Sequence, residues 1–367
     1  MPTQMTKRER IERTLNFQET DRVPLFDLLL NDGAIQYFSG EQLPPLVDDE
    51  PTRQTVDRLT GRAIARFLDM TRTSTFGPLA DRVYTDEDGF VIHVSAREKT
   101  SWIEQRPFAD EAGAVKYLQT CIRRWEASTR EINADPQGYR RKYHQDFRDM
   151  QARIGDTVHL LAVQGTGLDD IRVRLGFALF AYVDADNPGI ISEALEAATN
   201  LNIAICHAVA DLELSPVVLT YGDIAYKDRL LHSPAWLRRE FYPRLKRLND
   251  AWHEHGHKCL FHSDGQLMPV LDDLIETGID GLNPIEIVAG MSLKEVREQV
   301  GQRLFLAGGI DMSQLLSNGT PEEVRAVCRQ AIRDAYPGFF MGSTTEADNS
   351  CKTENLIAMY EVAMEGL

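Results

Sequence analysis

The feature that most constrains the fold is a regular alternation of short apolar segments and longer helical segments, which begins near residue 157. The apolar segments have the composition of buried strands, and parallel strands need a helix-sized connection between them. With the run 21–30 as a first strand and one further strand within 60–80, the pattern predicts an α/β fold, a (β/α)8 TIM-type barrel. The other predicted strands cover residues 158–165, 215–223, 258–262, 279–286, 303–311 and 338–343.

The remaining segments are predicted to belong to the same domain, which spans residues 1–367. An extended N-terminal region precedes the regular alternation. Within it, the Asp-Glu-Asp-Gly sequence at 86–89 predicts a β-hairpin, which we place as an excursion on the barrel rim. A doubly wound open sheet is the alternative fold. It is disfavoured because no GxGxxG dinucleotide-binding loop follows the first strand.

Composition and charge exclude several classes of function. The chain has 56 acidic and 40 basic residues and a net charge of −16, whereas nucleic-acid binding requires a basic surface. No apolar run is long enough to span a bilayer, and the polar N-terminus lacks the apolar core of a secretory signal. The five cysteines are scattered, which indicates free thiols in a reducing compartment. We therefore predict a cytoplasmic protein that binds neither nucleic acid nor membrane.

The ends of two successive predicted strands carry the residue types of a metal site. His262 and Asp264 lie at the end of the strand 258–262, and Glu286 ends the next one. Because the carboxyl ends of parallel strands meet at one edge of a sheet, the three side chains are expected to converge. Imidazole and carboxylate groups bind zinc, and this set also suits iron or manganese. A hydrogen-bonded His–Asp pair without a metal is the alternative.

Polar residues at other predicted strands are candidates for the same pocket. Asp223 is predicted to position or protonate a substrate, and Asp27, Gln164 and Ser343 are predicted to contribute to substrate binding. Asp27 equally suits a buried polar group with a structural partner. Asp311 equally suits the N-cap of the helix that follows it.

Several short motifs resemble the uroporphyrinogen decarboxylase superfamily, and the resemblance covers nearly the whole chain. The motifs are DRVP (21–24), GDIAYKDRLLHSP (222–234), HSDG (262–265), LNPIE (282–286), GGID (308–311) and TEN (353–355) followed by AM (358–359). The resemblance implies a (β/α)8 barrel and one of two activities. One branch, the porphyrinogen decarboxylases, uses no metal. The other branch, the corrinoid-linked methyltransferases, binds zinc.

The N-terminal region separates the two branches. The decarboxylases carry an arginine-rich segment there that binds the many carboxylates of their substrate. This chain has no arginine between Arg22 and Arg53. A substrate with eight carboxylates needs bidentate arginine partners, so the chain is more similar to the methyltransferase branch.

The metal-binding motif of the methyltransferase branch is H-x-C after the fifth strand, with another cysteine near the C-terminus. His262 matches the histidine, and Asp264 replaces the first cysteine. Glu286 matches a glutamate of the more distant cobalamin-independent methionine synthases. The late cysteine is absent from 342–344, so Cys351 is either a shifted ligand or an ordinary loop thiol.

From the resemblance we predict a metal-dependent methyltransferase that moves a methyl group between a small substrate and a corrinoid protein or folate. Zinc or another divalent metal is the expected cofactor, and a small corrinoid protein is the expected partner. An oxygen-rich ligand set favours an alcohol, ether, amine or pterin over a thiol as the other methyl carrier. The alternatives are decarboxylation of a porphyrinogen or a smaller carboxylic acid, and a non-catalytic ligand-binding barrel. The sequence leaves a homo-oligomer open.

Overall fold

The structure, a computed structural model, describes residues 5–366. In chain order the strands are β1 (Phe26–Asp27), β2 (Met70–Thr71), β3 (Arg82–Thr85), β4 (Val91–Ser95), β5 (Thr100–Gln105), β6 (Val158–His159), β7 (Val163–Gly165), β8 (Val217–Tyr221), β9 (Ala225–Tyr226), β10 (Arg229–Leu230), β11 (Lys258–His262), β12 (Gly281–Asn283), β13 (Phe305–Ile310) and β14 (Phe339–Ser343). The α-helices are α1 (Lys7–Leu15), α2 (Asp32–Ser39), α3 (Glu50–Phe67), α4 (Glu111–Ala134), α5 (Pro136–Arg153), α6 (Leu168–Leu175), α7 (Phe177–Asp186), α8 (Pro188–Val209), α9 (Pro234–Trp236), α10 (Tyr242–Glu254), α11 (Leu271–Glu276), α12 (Leu293–Val300), α13 (Pro321–Ala335) and α14 (Thr353–Ala363).

Parallel strands form the centre of the molecule. Six of them pair in the order β14, β13, β12, β11, β8 and β7, and a second parallel sheet has the order β1, β2 and β6. A parallel bridge between Leu25 and Met341 joins the two sheets on the β14 side. On the other side, the N–H of Leu161 donates a hydrogen bond to the carbonyl oxygen of Val217 at 3.1 Å. The predicted mixed α/β fold with parallel strands is confirmed, and the predicted strand 158–165 is interrupted between β6 and β7.

The side chains of β11 alternate between two apolar environments. Leu260 packs in the same buried cluster as Phe305 and Phe340, whereas Phe261 belongs to the cluster on the opposite side and contacts Phe241. Residues two apart in a strand share a face, so His262 lies on the same side as Leu260. The last residue of β11 therefore follows a tightly packed apolar layer that fixes its position.

A three-stranded antiparallel sheet, β3–β4–β5, lies between β2 and α4 in the chain. In the turn between β3 and β4, Asp86 Oδ1 accepts hydrogen bonds from the N–H groups of Asp88 and Phe90. Phe90 is fully buried in a small cluster under this sheet. Trp102 on β5 has 43% of its surface exposed, and it forms part of the wall of a cavity at the strand ends.

Local sequence signals set the helix ends. Thr320 and Glu323 form a reciprocal capping box at the start of α13, and a proline occupies its first turn. Asp311 accepts hydrogen bonds from three successive backbone N–H groups after β13, which confirms the N-cap alternative for this residue. Among residues 5–366, no helix combines the length and the apolar composition that a bilayer crossing requires.

Candidate functional site

Three adjacent strands end at the same level of the central sheet. The register pairs His262 at the end of β11 with Tyr221 at the end of β8 and with Asn283 at the end of β12. Asp223 follows β8 by two residues, and Asp264 follows β11 by two residues. The parallel register therefore delivers two carboxylates and one imidazole to one edge of the sheet, which is where parallel α/β proteins bind ligands.

Asp223, His262 and Asp264 form a compact group that we call the His262 cluster. One potential ligand atom from each residue lies within 4.8 Å of the others. His262 Nε2 is 3.9 Å from Asp264 Oδ1, and the N–H of Asp264 donates to Asp223 Oδ1 at 3.2 Å. Zinc binds nitrogen and oxygen ligands at about 2.0–2.2 Å, so donor atoms around one ion lie roughly 3–4 Å apart. Small side-chain movements are enough to bring this group to that geometry.

Asn283 fixes the orientation of the His262 ring. The Asn283 amide nitrogen donates to the carbonyl oxygen of Ala307 at 3.2 Å, which turns its side-chain oxygen toward the imidazole. That oxygen lies 2.7 Å from His262 Nδ1, so Nδ1 carries the proton and donates it. In the neutral imidazole, Nε2 is then the lone-pair donor, and it lies on the side of Asp264. Metal-binding histidines are oriented in this way by an acceptor on the second ring nitrogen.

Glu286 lies beside the His262 cluster without joining it. Its Oε2 accepts a hydrogen bond from the N–H of Gly265 at 2.6 Å, which holds the loop after β11. The preceding residue, Ile285, has a left-handed backbone with φ 59°, an unfavourable conformation for a β-branched side chain. The structure thus brings Asp223, and not Glu286, within ligand distance of His262 and Asp264.

Electrostatic repulsion is concentrated on Asp264. Burial raises the pKa of this carboxyl, and the negative charges of Asp223 and Glu286 raise it further, while His262 opposes the shift. The Thr345 hydroxyl contributes a long contact of 3.4 Å to Asp264 Oδ1. A partly buried group of like charges repels itself and is stabilised by a cation.

Two residues outside the cluster hold Asp223 in place. Its N–H donates to Asp169 Oδ2 at 3.0 Å, and its carbonyl oxygen accepts from Arg172 Nη1 at 2.5 Å. Arg172 also forms an ion pair with Asp169. Burial raises the pKa of Asp169 to about 6, with a smaller opposing contribution from Arg172. Both backbone groups of Asp223 are therefore fixed, and its carboxylate can be oriented without loop movement.

Asp27 and Ser343 are brought together, and they bind each other. The N–H and the hydroxyl of Ser343 each donate to the Asp27 carboxylate at 2.8 Å, and both residues are buried. The N–H of Leu28 supplies a third hydrogen bond to the same carboxylate. This arrangement ties β1 to β14 and agrees with the structural alternative for Asp27. Burial raises the pKa of Asp27 to about 6 despite these hydrogen bonds.

The raised pKa of Asp27 has a consequence for stability. Between the unfolded value of 3.8 and about 6, the folded state holds a proton that the unfolded state releases, so stability falls as pH rises through this window. Relative to Asp27→Asn, the wild-type protein is expected to lose up to about 3 kcal/mol of unfolding free energy between pH 4 and pH 7. Urea unfolding of both proteins at the two pH values measures the difference. A difference that does not change with pH would refute it.

Gln164 and Cys351 lie outside the His262 cluster. The Gln164 side-chain oxygen accepts a hydrogen bond from Trp252 Nε1 at 3.0 Å, and its nitrogen donates to the carbonyl oxygen of Asn202 at 3.3 Å. Cys351 is buried in the main hydrophobic core, and burial raises the pKa of its thiol to about 12. Both side chains already have structural contacts. Cys351 belongs to no group of potential His, Cys, Asp and Glu ligands in the described part of the chain.

Two other groups of potential ligands occur within residues 5–366: Cys206, His207 and His255, and His253, Cys259 and Asp280. Each contains a buried cysteine whose thiol pKa is raised by burial, so the metal-binding thiolate is disfavoured. In the second group the Asp280 carboxylate is already bound by Lys258. The His262 cluster differs because it opens into a cavity.

This cavity, which we call the strand-end cavity, has a volume of about 680 Å³. His262 and Asp223 line it, together with several residues that the sequence patterns do not identify. Arg72 follows a strand of only two residues, Asp169 and Arg172 lie in a helix, and Trp102 belongs to the antiparallel sheet. The remaining residues that line the cavity are Ser101, Ile103, Arg106, Val163, Val173, Gly176, Phe177 and Tyr221.

Comparisons with known proteins agree with this architecture. A methyltransferase from Methanosarcina mazei matches with a TM-score of 0.68 and 17% sequence identity, over 99% of this chain and 99% of that one. Such a likeness establishes a shared fold. A B12-independent methionine synthase from Shewanella sp. W3-18-1, in complex with selenomethionine, matches with a TM-score of 0.45 and 10% identity over 93% of this chain and 97% of that chain, and we draw no conclusion from it. No curated protein sequence matches significantly.

The family assignment rests on a sequence model. The model described as Uroporphyrinogen decarboxylase (URO-D) matches residues 177–365, which is more than half of the chain. The matched segment contains β8, β11 and β12, and with them the whole His262 cluster. The chain therefore belongs to the uroporphyrinogen decarboxylase (URO-D) family, as its motifs predicted.

Proposed function

We propose that this protein is a metal-dependent methyltransferase that moves a methyl group between a small substrate and a corrinoid protein or folate. The observation that carries the proposal is the convergence of Asp223, His262 and Asp264 at the strand ends, beside a cavity. The fold shared with a methyltransferase from Methanosarcina mazei supports it. The absence of an N-terminal arginine cluster between Arg22 and Arg53 argues against a porphyrinogen substrate.

The residues of the His262 cluster suit zinc or another divalent metal. His262 Nε2 has its proton on the other ring nitrogen, and two carboxylates offer oxygen ligands. In the proposed site these three residues hold the ion, while Glu286 keeps the loop at Gly265 in position. A metal bound there supplies Lewis-acid chemistry toward an oxygen or nitrogen atom of the substrate. This revises the ligand set expected from sequence, because Asp223 takes the place assigned to Glu286.

The chain's own residues complete the site. Asp169 and Arg172 fix the backbone of Asp223 through its N–H and its carbonyl oxygen. Trp102, Val163 and Phe177 present apolar surface around the cavity and would exclude water from a bound substrate. We also propose that the two parallel sheets close into one eight-stranded barrel, in which β6 and β7 count as one interrupted strand. The Leu25–Met341 bridge forms one junction, and the Leu161–Val217 hydrogen bond forms the other.

The test is methyl transfer by the purified protein, supplied with either reduced cobalamin or tetrahydrofolate. A panel of methyl ethers, methanol and methylamines provides the other methyl carrier, and the absorbance change of the corrin or the formation of methyl-folate reports transfer. We expect turnover with at least one pair and its loss in His262→Ala. Turnover of uroporphyrinogen would contradict the proposal in favour of decarboxylation. Metal binding without methyl transfer to either acceptor would favour a non-catalytic binding subunit.

A further inference from the structure

Arg72 is an arginine in the strand-end cavity whose donors are not used. It lies directly after β2, and 22% of its side chain is exposed. Its Nη2 atom is 3.8 Å from Glu346 Oε2, which is beyond hydrogen-bond distance. Among the described residues, the guanidinium makes no hydrogen bond. The N–H donors of this planar group therefore have no hydrogen-bond acceptor among the described residues.

The other two arginines of the cavity are occupied. Arg106 donates to the carbonyl oxygens of Arg174 and Val173 at 2.9 and 3.0 Å. Arg172 donates to the carbonyl oxygen of Asp223 and forms an ion pair with Asp169. Both have their guanidinium groups committed to the protein. Arg72 is the one of the three that is free to bind a ligand.

The acidic groups that face Arg72 do not substitute for a ligand. Asp27 is close enough to interact with it electrostatically, but its carboxylate already accepts hydrogen bonds from Ser343 and Leu28. Glu346 forms a long ion pair with Arg72, and at 3.8 Å this pair contains no hydrogen bond. A partly buried guanidinium without hydrogen-bonded partners is costly, and a bidentate carboxylate of a ligand would satisfy it.

The walls of the cavity describe the rest of that ligand. Trp102, Val163, Val173 and Phe177 line it and have 43%, 45%, 55% and 63% of their surface exposed. The His262 cluster lines the same cavity through His262 and Asp223. A ligand that matches Arg72, the apolar walls and the His262 cluster has an anionic group, an apolar body and a reactive group near the cluster.

We propose that Arg72 is the anchor of an anion-binding subsite, and that the substrate is a small molecule with an apolar body and a carboxylate or comparable anionic group. The substrate class rests on the proposed function, because the ligand would bind in the same cavity in which the reaction is proposed. The anion-binding subsite itself can be tested by binding measurements that need no turnover.

The experiment is calorimetric titration of the metal-bearing protein with acetate, benzoate and inorganic phosphate, and with benzamide as the uncharged match of benzoate. We expect the wild type to bind at least one of the three anions. Arg72→Gln is expected to weaken the binding of that anion about tenfold or more and to leave benzamide binding unchanged, because the charge-assisted hydrogen bonds of the guanidinium are lost. Arg72→Lys should retain part of the affinity, because lysine keeps the positive charge but cannot form the bidentate hydrogen bonds of a guanidinium.

Two matched variants separate the Arg72 subsite from a general charge effect and from anion binding at the metal. Arg106→Gln also removes a positive charge from the cavity, but the guanidinium of Arg106 is already hydrogen-bonded to the protein. Anion affinity should therefore stay within about twofold of the wild type. His262→Ala should keep anion binding even when it loses metal and turnover, so the subsite and the proposed function can fail independently. The inference is overturned if no anion binds the wild type, or if Arg72→Gln binds the anion as well as the wild type does. It is also overturned if only His262→Ala loses the anion.

Discussion

Asp264→Ala is expected to lower metal affinity by more than about a hundredfold and to abolish the proposed methyl transfer. Substitution of residues that merely orient a ligand costs about 10–100-fold, so loss of a ligand should cost more. The variant should fold at least as stably as the wild type, because burial and the nearby charges of Asp223 and Glu286 raise the pKa of this carboxyl. Metal content after dialysis, initial rate and urea unfolding together check the prediction.

Asp264→Cys is the matched control for this prediction. It restores the H-x-C arrangement that the methyltransferase branch is expected to carry, with His262 unchanged. We expect it to retain metal, with a shift of preference toward zinc, because thiolate is a softer ligand than carboxylate. If Asp264→Ala retained metal as well as the wild type, or if Asp264→Cys lost it completely, Asp264 would not be a ligand.

Asp69→Ala is expected to destabilise the protein by about 3–5 kcal/mol, the usual cost of removing one partner of a buried ion pair. Asp69 is completely buried and accepts hydrogen bonds from Arg10 Nη1 at 2.7 Å and from Arg22 at 2.7 and 2.8 Å. It also accepts from the N–H of Leu25 at 2.9 Å. Without it, Arg10 would remain buried with Asp21 as its only carboxylate partner.

This network also holds β2, the strand that directly precedes Arg72 in the wall of the strand-end cavity. Asp69 precedes β2 directly, and the N–H of Asp69 donates to the carbonyl oxygen of Leu25 at 3.0 Å, so it sets the pairing of β2 with β1. Asp228→Ala is the control, since the Arg229–Asp228 pair is exposed and its loss should leave the unfolding free energy almost unchanged. Urea unfolding measures both variants. Equal changes in the unfolding free energy of the two variants would mean that the buried network contributes no more to stability than the exposed pair does.

The sequence predicted the parallel strands best where apolar residues are continuous. Strands β8, β11, β13 and β14 are five or six residues long and buried almost throughout, and each lies within its predicted segment. Strands β1 and β2 have two residues each, which is too short for a periodic signal. Their position depends on contacts that are distant in sequence, such as those of Asp69. Local patterns do not contain this information.

The same limit applies to the candidate site. His262 and Asp264 were predicted together because residues two apart on an extended segment point to one side. Glu286 was predicted as the third member, but the left-handed turn at Ile285 and the N–H of Gly265 direct its carboxylate elsewhere. We propose Asp223 for that place, because β8 pairs directly with β11 and brings Asp223 close to His262 and Asp264. Strand order is a tertiary property that a single sequence does not show.

Elemental analysis of the purified wild-type chain after dialysis, with Asp264→Ala prepared in parallel, measures directly whether the His262 cluster binds a metal. If Asp223, His262 and Asp264 bind a metal, the wild type should contain about one divalent transition metal ion per chain, and the variant should contain almost none. A wild-type chain that contains no metal, and takes up none when zinc, iron or manganese is supplied, would show that the His262 cluster is not a metal site.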